Sequence, residues 1–271
     1  MLPSFASWWC PTCASRVDTH RKDVSFPKNR DGSYVVSRGC PAAAAKRNFR
    51  CLARRSNAAF AHTVSVLNAA EVVRLYGPWK GRTPHDAARF LHGYTGRWWI
   101  AGGWAIEAFV RTPRAHGDLD IGIPRAEVSV FIEFASASLD VWAAAGSLTP
   151  LLHRRSDVSA QCGNLWLRAS GGDPWEYDIQ LNNVDGRIWR YKRNPNIARS
   201  LSDCLWSHDG ITYLRPEIQL LHKAKHVRDK DTVDFQRCLP LLDEPSRTWL
   251  DQSLLLESPH HPWLTEIAAH L

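Results

Sequence analysis

The chain has 271 residues, 44% of them hydrophobic and 23% charged, a composition that admits one large folded domain or two modest ones and excludes a fibrous or low-complexity protein. No apolar run approaches the length of a bilayer span, so a soluble protein is expected. The net charge of +7 is unevenly placed: residues 1–60 hold eleven Lys and Arg against three Asp and Glu, leaving 23 basic and 24 acidic groups in the remainder. The basic pI therefore gives no ground for nucleic-acid binding by the body of the chain.

Residues 1–62 combine scattered Pro, Gly, Ser and Arg with little periodicity, which predicts a disordered basic extension. Seven cysteines and no basic head followed by an apolar stretch point to reduced thiols and a cytoplasmic location. Cys10 and Cys13 have the spacing of a zinc knuckle, but Cys40 and Cys51 have ten residues between them and lack that spacing, so incidental cysteines are expected there rather than zinc.

Regular structure is expected from about residue 63. The stretch NAAEVVRLYG predicts a short helix with Asn68 as cap and Gly77 as terminator, and TPHDAARFLHGY a second with Thr83 as cap and Pro84 in its first turn. RWWIAGG reads as an apolar strand ending in the pair Gly102-Gly103, and WAIEAFV returns to helical spacing. A basic loop, RTPRAHG, leads into the strand DLDIGI, and RAEVSVFIEFASAS follows as an amphipathic helix. NLWLRAS, WEYDIQLNN and RIWRYKR read as three strands separated by turn-forming GGDP and NNVDG. From RPEIQLLHKAKH onward the pattern is helical. The sum is an α/β (α+β) fold with a mixed sheet, organised as a domain over 63–200 and a helical C-terminal region over 201–271.

Two acids inside the apolar run DLDIGI are costly unless a cation lies between them. Side chains alternate along a strand, so Asp118 and Asp120 share one face while Leu119 and Ile121 share the other. Such a pair suits Mg²⁺, which takes oxygen ligands from one or two carboxylates together with substrate phosphates; a solvated strand face is the alternative. Gly102 and Gly103 would let a phosphate approach the start of a helix, where unpaired N–H groups and the helix dipole favour an anion. Arg111, Arg114 and His116 lie between the two motifs and are suited to phosphate oxygens or to fixing the loop. Two metal ions would require a further carboxylate, for which Asp178 is the best candidate and Glu176, on the same strand face, its local rival.

The block WWIAGGWAIEAFVRTPRAHGDLDIGI resembles the core of the polymerase-β-like nucleotidyltransferase superfamily, in particular proteins like aminoglycoside 2''-adenylyltransferases and lincosamide nucleotidyltransferases. The resemblance runs from about residue 63 to the end, including KAKHVRDKDTVDF and HHPWL. Glu107 stands where many relatives have Asp, and Gly117 where many have an acid. The resemblance implies a polymerase-β-like fold in which Asp118, Asp120 and Asp178 hold two Mg²⁺ ions and carry catalysis. It also implies transfer of a nucleoside monophosphate, AMP from ATP or another NTP, to a hydroxyl-bearing small molecule such as an aminoglycoside, with release of pyrophosphate. Gly102, Gly103, Arg111, Arg114, His116 and Lys223 are the expected nucleotide-binding residues. Within the enzymes, a toxin-like nucleotidyltransferase acting on tRNA or protein is the rival, and a catalytically silent nucleotide-binding module is the rival outside them.

Several other features have plainer expectations. Lys223 and Lys225 would reach phosphates or simply face solvent, and Lys230 and Asp234 are spaced for an i,i+4 ion pair; the resemblance, in which a similar K-D-x-x-D pattern recurs, implies an architectural lock between domains. Of the thirteen tryptophans, one of Trp98 and Trp99 is expected in the core, and Trp104 at the cleft wall or in the core. His260-His261 reads as a surface turn, and Cys162, Cys204 and Cys238 lack the spacing of a nucleophile site.

Overall fold

The structure, a computed structural model, describes residues 69–151 and 158–271, together with the backbone of short strand segments at Trp8–Cys10, Ser15–Val17, Ser25–Phe26, Val35–Val36 and Ser65–Val66. The expected extension over 1–62, the Cys10–Cys13 spacing with Cys40 and Cys51, and the Asn68 cap fall outside the described side chains.

Helices α1 (Ala69–Tyr76) and α2 (Pro84–Phe90) come first. Gly77 ends α1 with φ +89°, and its N–H donates to the Val73 carbonyl at 2.9 Å. At α2 the Thr83 hydroxyl accepts from the Asp86 N–H while the Asp86 carboxylate accepts from the Thr83 N–H. That reciprocal cap satisfies two orphan donors.

Strand β1 (Trp99–Ile100) runs directly into α3 (Gly102–Val110), and the basic loop then leads to β2 (Asp120–Pro124). Helix α4 (Val128–Ala135) follows after one turn of tighter helix. Next come β3 (Asp140–Ala144), β4 (Gly146–Pro150), β5 (Asn164–Arg168), the long β6 (Trp175–Asp185), β7 (Ile188–Arg190), β8 (Ala198–Ser200), β9 (Leu205–His208) and β10 (Ile211–Leu214). The chain closes with α5 (Pro216–Ala224), α6 (Asp229–Cys238), α7 (Glu244–Glu257) and α8 (Trp263–Ala268).

The sheet is mixed, in the order β9-β10-β1-β2-β6-β5-β3-β4, with the Ser25–Phe26 segment beyond β4 and with β7 and β8 hanging from β6. β2 and β6 are parallel, with Asp120 opposite Asp178 and Ile121 opposite Ile179. β1 is antiparallel to β2 and parallel to β10. The β9–β10 hairpin therefore belongs to the sheet, and the purely helical part begins at Pro216 rather than at residue 201.

The two faces of β6 separate core from site. Tyr177 stacks on Phe90 of α2, and Phe90 meets Phe134 of α4, so α2 and α4 cover the face that carries Tyr177, Ile179 and Leu181. Leu119, Ile121, Ile123 and Ile179 are fully buried, and at about 25 cal/mol per Å² such apolar burial is the main force pinning the register. The even-numbered residues turn to the other face; α3 packs against β2 and β10, and α5 and α6 pack on α3.

Candidate active site

Because β2 and β6 are parallel and in register, Asp120 and Asp178 are lateral neighbours on one face. Asp118 lies just ahead of β2, where the Leu119 carbonyl still accepts from the Asp178 N–H at 3.0 Å. Ligand oxygens of Asp118, Asp120 and Asp178 come within 4.8 Å of one another. Asp118 is exposed, Asp120 half-buried and Asp178 only 4% exposed. Two amides steer the carboxylates: Gln180 Nε2 donates to Asp120 Oδ1 and Asn164 Nδ2 to Asp178 Oδ1, each at 2.7 Å. Glu176 is engaged elsewhere, accepting from Arg82 and lying 3.8 Å from Lys80.

The glycine pair has specific work. Gly102 has φ +64°, and a Cβ there would collide with the Asp120 carboxylate; a Cβ on Gly103 would collide with the Arg114 guanidinium and come within 2.9 Å of His116 Nδ1. The pair thus lets the acid strand and the basic loop close on the start of α3. The Gly102 N–H donates to Gln219 Oε1 at 2.8 Å, which ties α5 to the same point, and α3 has no side-chain cap.

The loop between α3 and β2 is held by Glu107, whose Oε2 accepts from the Arg114 N–H and pairs with His116 Nε2, each at 2.8 Å. Glu107 is therefore a loop anchor. His116 also stacks on Trp104, with ring centroids 4.0 Å apart, and burial pushes its pKa below the ordinary 6.5 against the pull of Glu107. Trp99 is fully buried and Trp98 partly so.

Lys223 does not face solvent. Its Nζ lies 2.7 Å from Asp231 and 2.9 Å from Asp234. Asp234 also meets Arg114 at 3.2 Å, and Asp231 takes Arg228 at 2.7 Å. The expected Lys230–Asp234 pair is replaced by this arrangement, because Asp234 is 1% exposed and turns inward. The arrangement joins the basic loop, α5 and α6 across the sheet face. It holds Asp231 below the usual carboxylate range through Arg228 and Lys223, in spite of the burial that opposes it.

A cleft of about 410 Å³ runs over these groups. It is lined by Gly102, Gly103, Arg114, His116, Asp118, Asp120, Asp178 and Lys223 among the expected residues. Arg111 does not line it. That residue caps α3 in a left-handed conformation (φ 56°) and opens instead toward a separate depression beside Phe109 and Trp206, because the helix reverses there before the loop turns back. Lys225, offered by the sequence for phosphates or solvent, lines it too, and the cleft adds residues beyond the expected ones: Asn164 and Gln180, Gln219, Lys192 and Arg193, and Arg228 and Lys230. Gln180 alone has a local signal, two residues beyond Asp178 on the same strand face.

No protein-family model matches the chain, and no curated protein matches it. Solved structures do. Two are of ANT(2'')-Ia: a crystal structure in complex with adenylyl-2''-tobramycin, 12% identical, covering 64% of this chain and 96% of that one with a TM-score of 0.44, and a solution structure of the same antibiotic-resistance factor, 14% identical, covering 69% and 95% with a TM-score of 0.44. Another is of the lincosamide antibiotic adenylyltransferase LnuA bound to lincomycin, 15% identical, covering 59% and 96% with a TM-score of 0.40.

Among the remaining features, His261 is 8% exposed rather than a surface residue, with Nε2 2.9 Å from the Ala224 carbonyl. Cys162, Cys204 and Cys238 are buried free thiols. Burial raises all three, Cys204 and Cys238 to about 12, which disarms them as nucleophiles.

Proposed function

We propose that the chain is an enzyme that transfers a nucleoside monophosphate, AMP from ATP in the first instance, to a hydroxyl of a small molecule with release of pyrophosphate. The observation that carries this reading is the convergence of three carboxylates within 4.8 Å, beside the start of α3, in a cleft also lined by Arg114, Lys192, Arg193, Lys225, Arg228 and Lys230. The donor set is all oxygen, which suits a hard cation and not zinc. Asp118, Asp120 and Asp178 would hold Mg²⁺, as one ion or two, which when bound neutralises charge on the phosphates.

The remaining roles belong to the chain itself. Asn164 and Gln180 fix the rotation of the carboxylates they donate to. Lys225, Arg228 and Lys230 present positive charge to phosphate oxygens. Asp178, the most buried of the three acids, orients the acceptor hydroxyl and takes its proton. The hydroxyl oxygen then forms its bond to the α-phosphorus as the bond to pyrophosphate breaks. Positioning and preorganised charge supply most of the rate.

Incubation with labelled ATP and Mg²⁺ against antibiotics, total tRNA and protein, read by mass spectrometry of the product, tests the reading. Label is expected in a small molecule; label in tRNA or protein reassigns the acceptor, and ATP binding without pyrophosphate release with any acceptor leaves a binding module. Asp118→Ala should cut transfer by on the order of 10²–10⁴-fold. Its fold should survive, because Asp118 is exposed and its loss relieves like-charge repulsion. Unchanged turnover would contradict the assignment.

A further inference from the structure

A second cavity, of about 290 Å³, shares no lining residue with the cleft over the acid cluster. It lies between the end of α3, the β9–β10 hairpin and the starts of α5 and α7. Phe109, Trp206, Pro216, Leu241 and Leu242 give it apolar walls, and Trp206 meets Phe109 edge to face with ring centroids 6.2 Å apart. Its volume is near the lower end for ligand pockets and admits one aromatic ring with its substituents.

The polar groups around this cavity are short of partners. Arg111 and Arg215 line it without an ion-pair partner among the described residues. Asp243 feels the charge of Arg215 but is spent on α7, where it accepts from the Ser246 N–H at 2.9 Å. Three buried polar atoms of lining residues have no hydrogen-bond partner: Arg215 Nε, Trp206 Nε1 and Glu217 Oε2. Glu217 is fully buried, and only its Oε1 is met, by Arg199 Nη1 at 2.7 Å. Buried polar atoms are nearly always satisfied, so several orphans gathered at one cavity call for a partner from outside the chain. Donors predominate among them, with a single carboxylate oxygen as acceptor.

We propose that this cavity binds a small aromatic hydroxy acid. The ligand's carboxylate accepts from the Arg111 and Arg215 guanidiniums, whose planar forks match that group. Its ring lies against Trp206, Phe109 and Leu241, and its hydroxyl donates to Glu217 Oε2. Such a ligand binds whether or not the acid cluster transfers nucleotides.

Calorimetric titration of the full chain with 4-hydroxybenzoate tests the site, alongside 4-hydroxybenzamide, which lacks the charge, and benzoate, which lacks the donor. The hydroxy acid should bind about fivefold more tightly than either, or better. Arg111→Asn removes one guanidinium at an exposed position, where asparagine tolerates the left-handed backbone. It should weaken 4-hydroxybenzoate by about tenfold. Lys225→Glu, an exposed change in the other cleft, should leave that affinity as it was. No binding of the hydroxy acid, equal binding of either analogue, undiminished affinity in the Arg111→Asn chain, or a loss caused by Lys225→Glu would overturn the assignment.

Discussion

Gly102 and the Asp120 carboxylate occupy adjoining space, and no other residue type fits the first without moving the second. Gly102→Ala combines a left-handed backbone, which costs on the order of 1 kcal/mol for a residue with a Cβ, with a collision against one carboxylate of the acid cluster. Stability should fall by roughly 1–3 kcal/mol, and transfer should fall further than the unfolded fraction explains. Denaturant titration alongside turnover measures the two separately, and full activity in a folded Gly102→Ala chain would refute the link. Individual residues of the candidate site were legible where the pattern is local. Asp118 and Asp120 announce themselves by alternation, and the glycine pair by its place between a strand and a helix. Arg111 misleads for the same reason: it lies between the two motifs in sequence, but the helix end turns its backbone left-handed and sends it elsewhere. Asn164 carries no local mark, since its value lies in facing Asp178 across a strand pair.

At the level of elements, α5 and α6 are fastened to the basic loop by Lys223, Asp231, Asp234 and Arg114. Removing one partner of a buried ion pair leaves the other uncompensated, at a cost of about 3–5 kcal/mol. Asp234→Asn should fall near the lower end, about 3 kcal/mol, because Lys223 keeps Asp231. Chemical unfolding checks this; a loss under about 1 kcal/mol would mean that the contact is solvent-screened like a surface pair. The i,i+4 spacing of Lys230 and Asp234 pointed to a pair along one helix, but tertiary partners outcompete it once Asp234 is buried. The helices with caps and the strands with alternation were legible. The β3–β4 hairpin was not, because VWAAAGSLTP offers neither a clean two-residue period nor a standard hairpin turn, and its place is set by pairing with β5. The β9–β10 hairpin was assigned to the helical region for want of any signal that it rejoins β1.

At the scale of the whole molecule, two imidazoles are held below their ordinary range. His222 is pushed well below 6.5 by burial and by the charges of Lys192 and Arg193, and His261 below 6.5 by burial, in spite of its bond to the Ala224 carbonyl. In the unfolded chain both take up protons near 6.5, so below that pH the unfolded state binds more protons and stability falls with acidity. Above pH 6.5 both states are neutral and the contribution is complete. The thermal midpoint should therefore drop between about pH 7 and 5, before the depressed Asp86, Asp231 and Asp243 add their own loss below about 4. His261→Gln should flatten the first slope; an unchanged slope would show that these imidazoles are not protected by the fold. The mixed sheet and its helical cover followed from the alternation of patterns, whereas the closure of the sheet by its latest strands did not, since pairing between distant segments leaves no mark in either one.

That distant pairing has a kinetic side. Asp120 and Asp178 sit opposite one another on parallel strands although 58 residues separate them in the chain (178 − 120). A ribosome must deliver β6 before the acid cluster exists at all, and joining parallel strands across so long a loop is among the slower events in folding. Two like charges must also be brought side by side at the moment of joining. The acid cluster is therefore among the later features the newborn chain acquires, well after α2 has closed its own cap.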